Sequence, residues 1–82
     1  MTKGEYRVGI TFNPSNDDMV GRLKRTAADL IDLIETIPVA LVADDVQHAE
    51  IVRLKALAQT HAEDAAMWAV KAATKPAPAK EA

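Results

Sequence analysis

Two stretches of this chain repeat apolar residues at alternating intervals of three and four, and Pro38 stands between them. The first runs Val20, Leu23, Ala27, Leu30, Ile34, Ile37, and the second runs Ile51, Leu54, Ala58, His61, Ala65, Trp68, Ala72. Such intervals put the residues on one side of an α-helix, in a heptad-like seam. Pro38 cannot continue a helix, so the pattern predicts two of them. Helix one is expected over about 16–37 and helix two over about 45–74. Ile31 and Leu33 widen the first seam, while Arg22, Arg25, Asp29 and Asp32 lie mostly off it. Ala62, Ala66, Ala69 and Ala73 add a second, small-residue stripe to helix two. Asp44 and Gln47 form a capping pair at its start. The short connection from Val39 to Asp45 predicts an antiparallel helix hairpin.

The flanks read differently. Tyr6, Val8, Ile10 and Phe12 alternate with Arg7, Gly9 and Thr11, which is the period-two pattern of an extended segment. With no partner strand in the chain, residues 5–13 are expected as an arm lying along a helix. Asn13-Pro14-Ser15-Asn16 breaks the chain, and Ser15 with Asp18 is the expected N-cap of helix one. Lys75-Pro76 stops helix two, and residues 76–82 read as a disordered tail. The expected fold is therefore all-α: one domain over 1–75, an antiparallel two-helix hairpin with an extended N-terminal arm.

Eighty-two residues leave much apolar surface hard to bury. The usual remedies are disulfides, metals or partners. There is no cysteine, which removes disulfides and thiolate metal sites and fits a reducing cytoplasm. One hairpin covers only one of the two stripes on helix two, so self-association is expected to cover the other. No apolar run approaches the roughly eighteen residues that span a bilayer. Lys3 is followed by no apolar segment of a signal peptide. The formal net charge of -2 argues against broad binding to DNA or RNA, and leaves room for a local basic pocket.

Catalytic chemistry finds no support. His48 and His61 lie about 20 Å apart along one helix, too far to share a metal within one chain. His61 with Asp64 offers two ligands on one face, but a seam histidine is more often structural. Ser15 is the chain's one serine, in a capping context, and Gly4, Gly9 and Gly21 form no phosphate loop. The acid pairs Asp17-Asp18 and Asp44-Asp45 sit where helices start. One cluster points elsewhere. Arg22, Lys24 and Arg25 fall within four residues, followed by Thr26. A solvated face with an Arg25–Asp29 pair explains it simply. A phosphate clamp explains it too, with Thr26 supplying a hydrogen bond and Tyr6 or Phe12 stacking on a base. Tyr6 is the better stacking candidate; Phe12 equally suits anchoring the arm. Trp68 suits core or interface packing, and Arg53 and Lys55 suit solvated pairs with Glu50 or Gln59.

From Phe12 onward the chain resembles the phage anti-CBASS cyclic-oligonucleotide sponges that share a helical hairpin domain. The resemblance is carried by Phe12-Asn-Pro-Ser15, by Lys24-Arg-Thr-Ala-Ala-Asp-Leu-Ile-Asp32, and above all by the long stretch from Leu57 to Lys75. It implies a compact homohexamer that binds cyclic dinucleotides such as 3′,3′-cGAMP without cleaving them. That would starve the CBASS effector of its signal in the host bacterial cytoplasm. No cofactor is expected, and no metal, since so few further ligands accompany His61 and Asp64. The resemblance also implies a pocket between protomers with an aromatic, a lysine for phosphate and a threonine. Lys24 and Thr26 match that Lys-x-Thr arrangement, beside Arg25; Tyr6 is the choice for the aromatic, with Phe12 behind it. Cyclic trinucleotides are implied at a separate pocket, to which Arg53 is assigned. Two other readings remain at this point: a helical interaction or regulatory module that binds no nucleotide, and an enzyme degrading cyclic nucleotides. The enzyme would need an acid/base pair or metal site that the residues do not offer.

Overall fold

A computed structural model describes residues 1–39 and 44–79. Three helices run in order: α1 over Lys3–Val8, α2 over Asp18–Glu35 and α3 over Asp45–Ala73. The described residues contain no strand. The expected connection over Val39 to Asp45 lies largely outside the described residues, as do positions 80–82 of the expected tail. Residues 76–79 have no regular secondary structure and are exposed.

The N-terminal segment departs from the expected extended arm: it is a helix. Thr2 and Glu5 form a capping box, in which the Thr2 hydroxyl accepts from the Glu5 amide at 3.1 Å. The Glu5 carboxylate in turn accepts from the Thr2 amide at 2.7 Å. These bonds satisfy donors that a helix start otherwise leaves unpaired. Gly9 ends the helix with φ 65° and ψ 56°, a left-handed conformation that costs glycine little. The Ile10 amide reaches back to the Glu5 carbonyl at 3.0 Å, and the Phe12 amide to the Gly9 carbonyl at 2.9 Å. Tyr6 through Phe12 thus winds through a helix and two turns, and its alternation faces no sheet. Local capping outweighs the period-two pattern here because the described residues offer the segment no partner strand.

The start of α2 is also shifted. Its N-cap is Asp17, whose carboxylate accepts from the Met19 amide at 2.9 Å. Ser15 belongs to the preceding turn: its hydroxyl donates to Asn13 Oδ1 at 2.8 Å and accepts from the Asp17 amide at 3.2 Å. Asn16 takes a left-handed φ of 53°, which keeps it outside the helix. At the other end, Thr36 and Ile37 close tight i to i−3 bonds on Leu33 and Ile34 ahead of Pro38. Asp44 caps α3 by accepting from the Gln47 amide at 2.7 Å.

The helices meet along one narrow stripe. On α2 the buried residues are Val20, Lys24, Ala27, Ala28, Ile31 and Ile34. On α3 they are Gln59, Ala62 and Ala66. The small-residue stripe of α3 therefore faces α2, while Leu54 and Trp68 of the other seam stand 50% and 60% exposed. Alanines let the backbones approach closely, and Ile31, with no exposed surface, fills the middle. Burying such a side chain contributes about 1.5–3 kcal/mol. Gln59 is the polar member of this core. Its Nε2 donates to the Ile31 carbonyl at 3.2 Å and to Glu35 Oε2 at 2.7 Å, while its Oε1 accepts from Lys3 at 3.0 Å. Lys55 reaches across to cap α2, donating to the Glu35 and Ile37 carbonyls at 3.0 and 2.6 Å. This role was not visible in the sequence, where Lys55 reads as a solvated partner of its own helix.

α1 lies on α2 with almost no gap. The Gly4 amide donates to Asp32 Oδ1 at 2.7 Å, and a Cβ built at Gly4 would stand 2.1 Å from the Ala28 carbonyl oxygen. Ion pairs surround this contact: Lys3–Glu35 at 2.7 Å, Arg25–Glu5 at 2.8 Å and Arg7–Glu63 at 2.7 Å. The Glu5 carboxyl is pushed down to about 2, first by the Thr2 backbone amide and then by Arg25. Glu35 is likewise lowered to about 2, by the Gln59 amide and then by Lys3.

Candidate functional site

The basic cluster of α2 is divided by the helix that carries it. Lys24 turns inward and is only 8% exposed. Its Nζ donates to the Gly9 carbonyl at 3.1 Å and to the Phe12 carbonyl, and stands 5.4 Å from the centroid of the Phe12 ring. Arg25 points the other way, holding Glu5 through Nη1 at 2.8 Å and Asp29 through Nη2 at 2.8 Å. The hydrogen bonds to Glu5 and then to Asp29 raise its pKa. Thr26 is exposed, and its hydroxyl donates to the Arg22 carbonyl one turn earlier at 2.9 Å. The Arg22 side chain is exposed and makes no hydrogen bond or ion pair among the described residues.

Two residues apart on a helix, Lys24 and Thr26 do not face the same side. They line different cavities. A groove of about 350 Å³ is formed by Met19, Arg22, Leu23, Thr26 and Leu30 of α2 over the alanine stripe of α3. Lys24 borders two others. One, of about 250 Å³, includes Arg7, Glu63, Met67 and Val70. The other, of about 200 Å³, includes Phe12, Asn13, Ser15, Val70 and Thr74.

The aromatics separate in the same way. Phe12 is 69% exposed yet lies against Lys24. Tyr6, on α1, is 78% exposed and lines none of the three cavities that Lys24 or Thr26 borders. Trp68 stands outside the core of this chain, with Lys71 Nζ 5.4 Å from its ring centroid. Arg53 is exposed and paired with Glu50, its Nε 3.0 Å from the carboxylate, well along α3 from Lys24. His48 and His61 are both exposed, and no group of three His, Cys, Asp or Glu side chains able to hold a metal occurs among the described residues.

Sequence reasoning singled out Lys24, Arg25, Thr26, Tyr6 and Phe12 as one constellation. The folded chain joins Lys24 to Phe12, leaves Thr26 beside Arg22, and engages Arg25 with α1. Asn13, Ser15 and Thr74 beside Phe12 were missed as lining residues. Their only signal was the Phe12-Asn-Pro-Ser15 stretch itself, since Thr74 reaches the cavity through the packing of α3 on α2.

A family model describes the same stretch of chain. The Acb2/Tad1 hairpin domain matches residues 4–74, from the first turn of α1 to the C-cap of α3. The chain belongs to the Acb2/Tad1 hairpin family. This is the family of anti-CBASS sponges, proteins that sequester signals and do not catalyse a reaction on them. The Acb2/Tad1 match begins at Gly4 and so takes in α1 as well as both long helices. Comparison with curated proteins and with solved structures gave no match. No helix among the described residues is long and apolar enough to cross a membrane.

Proposed function

We propose that this protein captures cyclic dinucleotide signals, such as 3′,3′-cGAMP and its relatives, and holds them intact in the host bacterial cytoplasm. Capture would deprive the CBASS effector of its activator. The observation that carries this reading is the Acb2/Tad1 hairpin match over residues 4–74. The working unit is an antiparallel helix hairpin assembled into a compact homohexamer, with nucleotide pockets between protomers. Cyclic trinucleotides would occupy a second, separate pocket, to which Arg53 is assigned.

Two geometric facts support a pocket shared between protomers. Lys24 and Thr26 open onto different cavities of one chain, so a single small ligand needs a second copy to meet both residue types. A cyclic dinucleotide with two equivalent linkages is nearly two-fold symmetric, and a two-fold interface offers each half the same groups. Phe12 takes precedence over Tyr6 as the stacking ring because it adjoins Lys24. The Lys24 ammonium has three N–H groups, of which two are given to carbonyls, leaving one for a phosphate oxygen. Arg25 contributes at the edge of the site, after its pairs with Glu5 and Asp29.

The test is direct. The protein is incubated with 3′,3′-cGAMP, freed of unbound nucleotide and heat-denatured, and the released material is analysed. Intact nucleotide supports sequestration. Linear product would mean an enzyme. No capture would favour a helical interaction module, a reading to which the engagement of Lys24 and Arg25 within the chain lends some weight. Lys24→Ala is expected to weaken capture at least about tenfold while the oligomer persists.

A further inference from the structure

Lys24 carries a full charge on a long stem and is almost wholly buried. A buried ammonium must find acceptors for its N–H groups or it destabilises the fold. The acceptors here are not carboxylates. They are the Gly9 and Phe12 carbonyls, with the Phe12 ring 5.4 Å away. All three belong to one turn, which the Phe12 amide closes on the Gly9 carbonyl at 2.9 Å. The ammonium thus ties both ends of the turn that carries Phe12 and attracts the ring by a cation–π contact.

The ring it holds is nevertheless 69% exposed. Anchoring within the chain would bury it, and an unconstrained surface phenylalanine would not be tied by its own carbonyl to a core lysine. A fixed, exposed aromatic is what stacking requires, because a side chain already ordered has less entropy to lose on binding. We propose that Lys24 is a positioning residue: it sets the Gly9–Phe12 turn and presents the Phe12 ring to the flat face of a nucleobase. This role rests on the sponge reading for the class of ligand. It makes Lys24 act on the base through Phe12, in addition to any phosphate contact of its remaining N–H.

A double-mutant cycle measured by calorimetry with 3′,3′-cGAMP separates the two routes. Lys24→Met keeps the length of the stem and removes the charge. In the wild-type background it is expected to weaken binding about tenfold, the order of one lost base stack. In a Phe12→Ala background it is expected to cost less than about threefold. Equal losses in the two backgrounds would overturn the proposal, because they would place Lys24's whole effect on the phosphate. A second arm needs neither ligand nor variant. In NMR spectra of the wild-type protein, the ring current of Phe12, the one phenylalanine of the chain, should move the Lys24 ε-methylene protons upfield of those of Lys3, Lys55 and Lys75. The Phe12 amide should resist exchange. Lysine protons at their ordinary positions with a freely exchanging Phe12 amide would also overturn it. If the wild type captures no cyclic dinucleotide, the sponge reading fails, and the NMR arm still decides whether Lys24 places Phe12.

Discussion

Gly4 shows how much a single residue decides in this fold. It sits where α1 crosses α2, with its amide on Asp32 and no room for a methyl group against the Ala28 carbonyl. Backbone on one side and a helix on the other cannot yield as a flexible side chain would. Gly4→Ala is therefore expected to lift α1 from α2 and cost about 1–3 kcal/mol, the usual range for overpacking. Urea denaturation would report the loss, and loss of exchange protection at residue 4 would locate it. Unchanged stability with a protected residue 4 amide would mean that α1 packs otherwise. Nothing in the sequence announces this requirement, because a glycine inside a six-residue helix ordinarily weakens it. Lys24 and Gln59 share that illegibility. Both read as surface residues on type alone, and both are buried because backbone carbonyls of another segment stand opposite them.

At the scale of elements, the long helices were legible and the short one was not. The three-four spacing of α2 and α3 extends over many turns, which gives a periodic pattern time to declare itself. α1 spans Lys3–Val8, too short for any period, and its signals are the Thr2-x-x-Glu5 box and the Gly9 terminator. Both lie in the sequence, but the alternation of Tyr6, Val8, Ile10 and Phe12 points to an extended segment instead. Spacing also fails to say which of two stripes faces the partner helix. Ala62 and Ala66 turn inward because small residues permit the closest approach, and that choice depends on α2 as much as on α3. Three ion pairs, Lys3–Glu35, Arg25–Glu5 and Arg7–Glu63, accompany the docking of α1, and they are sensitive to acid and salt. Glu5 and Glu35 have folded pKa values near 2, below the ordinary carboxylate value of 4.5. The largest causes, Thr2 at Glu5 and Gln59 at Glu35, do not cross the α1–α2 contact, but Arg25 and Lys3 do, and their share favours the docked state above the undocked pKa and is lost as pH falls through the folded one. α1 should therefore stay docked above about pH 4.5 and loosen between there and about 2. Molar salt at neutral pH should weaken it as well, since screening then acts within about 3 Å. Exchange of the Gly4 amide, followed by NMR from pH 6 to 2.5 against the Ile31 amide of α2, reads this directly. Equal protection of Gly4 across that range would show that the ion pairs contribute nothing to docking.

For the whole molecule the governing fact is how little apolar bulk one chain buries. Val20, Ile31 and Ile34 are the large buried aliphatics, and the rest of the apolar core is alanine. Meanwhile Leu30, Leu33, Leu54, Leu57 and Trp68 remain 41–66% exposed along α2 and α3. The chain's least extent is 13 Å, little more than one helix, so no second layer covers these residues from within. Copies of the same chain are the simplest cover, and a hexamer would have a mass near 53 kDa, six times 8.8 kDa. Assembly of this kind ties stability to concentration, because subunits that bind only the folded form shift the equilibrium by mass action. The melting temperature should then rise with protein concentration. Trp68, the one tryptophan, should emit at shorter wavelength as dilution is reversed and water leaves its ring. Trp68→Glu would place a charge in that contact, and by the usual cost of burying an unpaired charge it should reduce assembly strongly while α2 and α3 remain helical. Sedimentation velocity decides the matter. A wild-type chain that sediments as an 8.8 kDa monomer at every concentration, with Trp68 emission fixed at the wavelength of a hydrated ring, would remove the shared pocket proposed for capture.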